Sequence, residues 1–545
     1  MSEEMHMPSL ELRRAVLVRV FAATLAGSVA ISALVPSIAQ AQVTAFRQAV
    51  AEAVVSDEDL AEFYRAREFA PVWSGTDQMT QNRRNALLAA FAGAGNHGLP
   101  AARYDANAIM ARLRAAETPA EQGAMDVELS RLFMRYASDV QTGVLTPGRV
   151  DSNIKREVPL RDRIETIDAF LSANPDAFLR DLPPSSPEYV RLMRVKMRLE
   201  RLLAAGGYGT TVPATLAQGA SGDAVVTLRN RLILMGFLER TATQTYDLAL
   251  ARAVERFQEA HGLAVDGTVG DSTLRALNVP VEERLQSIIV AMERERWTNQ
   301  DRGDRHIWVN LTDFSAAIVD NDIVTFKTRS VIGATDSHKQ SPEFSDEMEF
   351  MVINPSWYVP RSIATREYLP QLQRNSGAVS HLEIRDSNGR VVNRNNVNFA
   401  NYNARTFPFS MRQPPSTQNA LGLVKFMFPN QYNIYLHDTP AKSLFGHNTR
   451  AYSHGCIRLN DPFDFAYALL AAQESDPEAF FQSRLRTGAE SRVNLETHVP
   501  VHIVYRTAFT DVTGTPQFRR DIYGRDGRIW TALEQEGVAL RAAQG

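Results

Sequence analysis

Ser453-His454-Gly455-Cys456-Ile457-Arg458 contains the one cysteine of a 545-residue chain, and shortly before it Tyr432-Asn433-Ile434-Tyr435-Leu436-His437 ends an aromatic and β-branched run on a histidine. The run has the composition of a strand, so it is expected to present His437 at the rim of a sheet. Gly455 frees the backbone beside the cysteine. A single cysteine closes no intrachain disulfide, and behind an export leader a free thiol meets oxidants, so its retention points to reactivity. With a pKa near ~8.5 an ordinary thiol is mostly protonated at neutral pH, and nucleophilic use needs a base or a positive field. His437, His454 and Arg458 are the candidates to supply one. The bland alternative is a buried structural cysteine and a satisfied core histidine. The grouping of Cys, His, Arg and Gly, in a chain that otherwise avoids cysteine, argues against it.

These residues resemble the L,D-transpeptidases of bacterial cell walls, in which a histidine precedes a Ser/Thr-His-Gly-Cys motif. The likeness extends to Asn354-Pro355-Ser356-Trp357 with Val359-Pro360, to Asn419-Ala420-Leu421-Gly422 with Lys425-Phe426, and to Asp521-Ile522-Tyr523-Gly524. Together they look like the large, periplasmic, multidomain subclass. The resemblance implies Cys456 as nucleophile and His437 as base. Attack on a peptidoglycan tetrapeptide stem would expel its terminal D-residue, and the amine of another stem would resolve the thioester into a 3→3 cross-link. It also implies sensitivity to carbapenems. No phosphate loop and no clustered metal-ligand spacing stands in the sequence, so no cofactor and no metal are expected. Water or a lipoprotein lysine as acceptor would instead make the chain an L,D-carboxypeptidase or an anchoring enzyme. From a different class, the alternative is a non-catalytic peptidoglycan-binding protein.

Adjacent strand residues face opposite ways, so a backbone carbonyl, as in the family, is expected to orient His437 rather than the Asp438 carboxylate. Main-chain N–H groups around Gly455 and Cys456, with the Tyr435 hydroxyl, are the expected oxyanion donors. Arg458 is expected either to hold a stem carboxylate or to brace the loop, and His454 to donate to substrate or order the loop. Trp357 and Tyr358 are candidate cleft walls, one of them a candidate for the core. Ser416 stands where the subclass is expected to carry glycine.

The chain is 44% hydrophobic and 22% charged, ordinary for soluble globular protein, and long enough for two to four domains. A net charge of −3 gives no basic excess for nucleic acid. Arg13, Arg14 and Arg19 precede the uncharged run Val20 to Val35, then Pro36 and Ala39-Gln40-Ala41, a small-x-small pattern. This predicts a leader over 1–41, cleaved after Ala41 on export to the periplasm; an uncleaved anchor would need a run nearer ~20 residues. Membrane attachment is expected only if the segment stays uncleaved.

The expected architecture is α+β and multidomain. Residues 42–215 read as a helical scaffold: Leu129, Leu132, Phe133 and Tyr136 follow helical spacing, and Phe69, Trp73 and Tyr104 are expected core aromatics. Residues 219–280 carry three short apolar stripes, led by Val225, Leu250 and a third helix capped by Ser272, and resemble a three-helix peptidoglycan-binding domain. Residues 285–505 change to β-branched runs, a mainly β catalytic domain, interrupted at 361–415 by a polar insertion that caps the cleft in the family. In the tail, 506–545, Asp526-Gly527 reads as a turn before a short helix. The expected partners are peptidoglycan stem peptides and glycan, with other cell-wall synthesis enzymes beside them.

Overall fold

The computed structural model describes residues 34–541, so the expected leader lies outside the described residues up to position 33. Among the described residues no helix is long and apolar enough to cross a membrane. The chain forms two compact units: one from residues up to Ala92 with Tyr104–Ala137 and Arg161–Arg180, the other from Gly93–Arg103, Ser138–Leu160 and everything from Asp181 on.

The first unit is helical. Leu129, Phe133 and Tyr136 are buried along the helix Pro119–Thr142, as their spacing demands. Trp73 stacks on Phe170 with ring centroids 5.6 Å apart. Beneath it the buried Asp126 carboxylate accepts hydrogen bonds from the N–H groups of Val72, Trp73 and Ser74 and from the hydroxyls of Tyr64 and Ser74. A buried carboxylate is tolerable only when so satisfied, and here it fixes the turn that seats Trp73. Trp73 and Tyr104 are core residues, while Phe69 is half-buried.

In the second unit, helices Asp223–Met235, Leu248–Ala260 and Asp271–Leu277 bury Val225, Leu228, Leu232, Leu250, Val254 and Phe257 against one another. The first ends on Gly236 in the left-handed conformation. Ser272 does not cap the third helix: Gly270 holds that position and Ser272 lies exposed inside the helix. The helix Val281–Trp297 follows, and its Glu293, Arg294, Glu295 and Arg296 are all buried. Each is paired, Arg294 with Glu343 at 2.6 Å and Asp526 at 2.7 Å, Arg296 with Glu293 at 2.6 Å, and Glu295 with Arg506 at 2.7 Å. Burial of single charges at this depth would be strongly destabilising.

The catalytic domain begins with β1 (Arg305–Asn310), β2 (Ser315–Asp320), β3 (Ile323–Gly333) and β4 (Phe344–Ile353). The insertion starts earlier than the expected residue 361, because its sheet includes β5 (Trp357–Tyr358) beside β6 (Glu383–Arg385) and β7 (Ser410–Gln413). The chain then returns through β8 (Val424–Met427), β9 (Leu436–His437), β10 (Ala451–Ser453), β11 (Ile457–Leu459) and β12 (Ser491–Val504), and ends with the hairpin β13 (Ala508–Thr510) and β14 (Pro516–Phe518). The nine-stranded sheet runs β10-β3-β11-β9-β8-β4-β12-β1-β2, and because β2 also pairs with β3 it closes on itself. Its core joins Ile307, Ile353, Phe426, Leu436 and Ile457 to Phe465 and Phe481 from two helices.

The insertion is a small domain with its own three-stranded sheet, β5-β7-β6, and its own core of Trp357, Ile363, Leu372, Ile384, Phe399, Phe407 and Met411. Its helical run includes a π-helical turn, Ala364–Tyr368. At the junction with the main sheet the buried Asn419 amide donates to the carbonyls of Pro355, Gln413 and Pro414. In the tail, Asp526-Gly527 is not a turn: both lie in the first turn of the helix Arg525–Gln535, and Gly524 before it takes the positive φ of 67°.

Candidate active site

Strand register places the chemistry. Leu436 and His437 of β9 lie opposite Ile457 and Arg458 of the parallel strand β11, and His437 lies opposite Lys425 of the antiparallel strand β8. Opposed residues share a face and neighbours alternate, so Lys425, His437 and Arg458 form a row across one face. Tyr435 and Cys456 stand one pleat away on that same face. The rings of Tyr435 and His437 are 5.7 Å apart. The other face carries Leu436 and Ile457, both fully buried.

His437 is 3% exposed, and its Nδ1 hydrogen-bonds the carbonyl of Asp438. This leaves Nε2 as the nitrogen for a thiol proton. The Asp438 carboxylate turns elsewhere, accepting from the Leu423 N–H at 2.9 Å and from Lys442 Nζ at 2.8 Å. Gly422 lets it do so: at φ 62° its missing Cβ would lie 2.3 Å from the Asp438 carboxyl. Burial, then the Arg458 guanidinium, pulls His437 down to about 3.

Cys456 Sγ donates to the carbonyl of Asn433 at 3.5 Å. Asn433 itself holds a φ of 56°, a left-handed conformation that asparagine tolerates. Burial pushes the Cys456 thiol up to about 11, against the opposing pull of the Tyr435 N–H and hydroxyl and of Arg458. The resting pair is therefore a neutral thiol and a neutral imidazole. Arg458 Nε is buried without a hydrogen-bond partner.

The loop that carries Cys456 is braced from within and behind. Ser453 Oγ accepts from the Gly455 N–H at 3.1 Å and donates to the Cys456 carbonyl at 2.5 Å, so the Gly455 N–H is already engaged in the resting loop. Gly455 has φ 116°, and its carbonyl accepts from Ser341 Oγ at 2.6 Å. Tyr523 of the tail donates its hydroxyl to the Gly333 carbonyl at 2.6 Å and accepts from the Ser341 N–H at 3.4 Å.

The insertion touches the site twice. Trp357, 8% exposed, sits in the insertion's core, against which Tyr435 packs, whereas Tyr358 turns to the opposite side and is 65% exposed. His454 Nε2 meets Glu367 Oε1 at 2.6 Å, and Lys339 Nζ reaches the same oxygen at 3.4 Å. Lys425, Ser341, Glu367 and Tyr523 are absent from the site read in the sequence. Lys425 and Tyr523 are visible in the sequence only as members of motifs, and Ser341 and Glu367 reach the site from distant segments.

Chemically, a thiol with a backbone-oriented imidazole, a flanking hydroxyl and an unneutralised guanidinium is equipped for acyl transfer through a thioester. The model of the L,D-transpeptidase catalytic domain matches residues 304–491, that of the Scaffold domain residues 58–195, and that of the “Putative peptidoglycan binding domain” residues 221–277. These matches give the chain a β-rich L,D-transpeptidase catalytic domain, beside a helical scaffold domain and a helical region similar to a peptidoglycan-binding domain. Among curated proteins it is 28% identical over 228 residues to a “Putative L,D-transpeptidase” of Haemophilus influenzae, covering 41% of this chain and 45% of that protein. The chain thus spans less than half the length of that relative. Among solved structures, the chain matches an L,D-transpeptidase of Xylanimonas cellulosilytica (14% identity, 54% of this chain and 100% of that one, TM-score 0.16) and one of Stackebrandtia nassauensis (13%, 54% and 96%, TM-score 0.22).

Proposed function

We propose that this chain is a cysteine L,D-transpeptidase that acylates on peptidoglycan tetrapeptide stems and forms 3→3 cross-links. The observation that carries the reading is the in-register set Tyr435, His437, Cys456 and Arg458 on one sheet face, with His437 Nδ1 held by a main-chain carbonyl. Cys456 Sγ attacks the carbonyl of the third stem residue while its proton passes to His437 Nε2. Since both groups rest neutral, the transfer accompanies attack instead of preceding it.

The tetrahedral oxyanion is held by the Cys456 N–H and the Tyr435 hydroxyl. Its collapse breaks the bond to the terminal D-residue, whose amine leaves with the proton from His437. A thioester remains. The side-chain amine of a second stem then attacks, His437 takes its proton, and the restored thiol receives that proton as the C–S bond breaks. Arg458, whose Nε is buried without a partner among the described residues, offers its guanidinium to a stem carboxylate. The capping insertion keeps water from the thioester.

Members of a cell-wall enzyme family work outside the cytoplasm, and the leader pattern supports the periplasm here. The test is mass spectrometry of products from disaccharide-tetrapeptide. A cross-linked dimer lacking one D-residue supports the reading. Tripeptide alone would indicate a carboxypeptidase, and unchanged substrate a non-catalytic wall-binding protein.

A further inference from the structure

A cavity of about 1790 Å³ lies away from the nucleophile, between the three-helix domain and the catalytic sheet. Arg275 and Arg284 reach it from the helical side, Lys327, Arg329 and Arg450 from the sheet, and Arg519 and Arg520 from the tail. Among the described residues none of these cations is ion-paired with a carboxylate. Arg284 donates to the Ala276 carbonyl and lies over the Phe518 ring at 4.4 Å, and Arg519 donates to the Ala260 carbonyl. Arg450 is held by the carbonyls of Ser330, His447, Asp313 and Phe314, and Arg329 by that of Phe445. A carbonyl orients a guanidinium without neutralising it.

Among the described residues Asp526 is the one acid of the cavity held in an ion pair; the others are oriented by neutral donors or exposed. Asp526 is paired with Arg294, Asp461 accepts from Thr328 and Asn460, Asp521 from the Tyr505 hydroxyl and the Gly527 N–H, and Asp313 from the Ser315 hydroxyl. Glu283 is exposed. Asp313 is the acid that acts on Arg450 and Arg519, while Arg329 repels Arg450. Seven cations thus face five carboxylates, one of them already paired with Arg294, which leaves the wall a positive excess for an oxyanion.

Register ties this wall to the nucleophile. The Asn460 N–H donates to the Arg329 carbonyl at 3.0 Å, directly after the pairing of β11 with β3. Asn460 thus stands at the end of β11 remote from Cys456, four residues on, or ~13 Å at ~3.3 Å per residue. An extended four-residue stem covers about the same length.

We infer that this cavity binds an anionic strand of the wall polymer, a glycan bearing carboxylate-rich peptide stems, and holds it within one stem's length of Cys456. The identity of the polymer rests on the transpeptidase reading; the anionic character rests on the cations alone. The probes are uncross-linked glycan chains carrying tetrapeptide stems, the same chains with their carboxylates amidated, and uncharged chito-oligosaccharides. The variant is the full-length double substitution Arg275→Glu/Arg520→Glu, both residues being exposed.

Kd for the stem-bearing chains is expected to rise at least about tenfold both on amidation and in the double variant, a change of ~1.4 kcal/mol. Turnover of soluble disaccharide-tetrapeptide should stay at the wild-type value. Arg275→Gln/Arg520→Gln should fall between the two. Wild-type affinity in the double variant, or equal binding of amidated chains or chito-oligosaccharides, overturns the inference. Failure of the transpeptidase reading would show separately, as absent turnover with charge-dependent binding intact.

Discussion

His437 and Arg458 oppose each other directly across the parallel strands β9 and β11. The base of the proposed pair therefore faces a permanent cation, with Lys425 on its other side. Such flanking disfavours the imidazolium and favours the thiolate. Arg458→Gln should raise the Cys456 thiol above its present value of about 11, and His437 above about 3. Rates of iodoacetamide alkylation against pH, followed by intact mass, would show the thiol's shift as a slower reaction at every pH below the new pKa. An unchanged profile would mean that Arg458 acts on substrate alone.

The backbone orientation of His437 separates two neighbours. His437→Ala should lower acylation by ~10² to 10⁴, the usual worth of a general base. Asp438→Asn keeps the orienting carbonyl and should cost less than about tenfold in kcat/KM. Equal losses would restore a side-chain triad.

Tyr523 reaches the Cys456 loop through Ser341 and through Gly333, which pairs with Ser453. Removing its hydroxyl with Tyr523→Phe should cost ~1 kcal/mol of stability, the usual range for one buried hydrogen bond. Ser341→Ala frees the Gly455 carbonyl directly and should lower kcat with little change in KM. A KM effect instead would place Ser341 at the substrate.

Glu367 joins the capping insertion to His454 and Lys339 across partly exposed contacts, worth little in global stability. Glu367→Gln should leave Tm nearly unchanged. The ratio of hydrolysed to cross-linked product should nevertheless rise, since a looser cap admits water to the thioester. Quantifying tripeptide against dimer decides it.

Histidines held low by burial set an acid limit, among them His97, His437 and His502. Burial, before the nearby cations, holds His97 and His502 to about 4 and His437 to about 3, below the ordinary ~6.5. Folded, they stay neutral where the unfolded chain binds protons, so their stabilising share is complete above pH ~6.5 and is lost as pH falls toward 4. Thermal unfolding between pH 7 and 4 should show a falling Tm, with up to about three protons taken up per unfolding event. A flat profile would show these rings solvated.

Periodicity and composition made the broad architecture legible because local spacing dictates it: the stripes of Val225 and Leu250 and the run Ile323–Gly333 became the elements their patterns describe. The Cys456 and His437 pair was legible through rarity and motif. What escaped depends on contacts between distant segments. Nothing local marks Ser341 as a partner of Gly455, or Glu367 as a partner of His454. The run Glu293 to Arg296 looks like a solvated helix face until its partners Glu343, Arg506 and Asp526 arrive from far along the chain. Ser272 and Asp526-Gly527 misled for a related reason, since capping and turn preferences are weak enough for tertiary packing to override.

The alternation that sets Tyr435 and His437 on one face and Leu436 on the other has an evolutionary corollary. Chemistry and core share a single frame, so inserting or deleting one residue within 435–437 or 456–458 would exchange reacting groups for hydrophobic ones. Such lengths are frozen. The excursion between Thr439 and Arg450 answers to no such parity, and length variation among descendants of this chain should collect there while the two short strands keep their count.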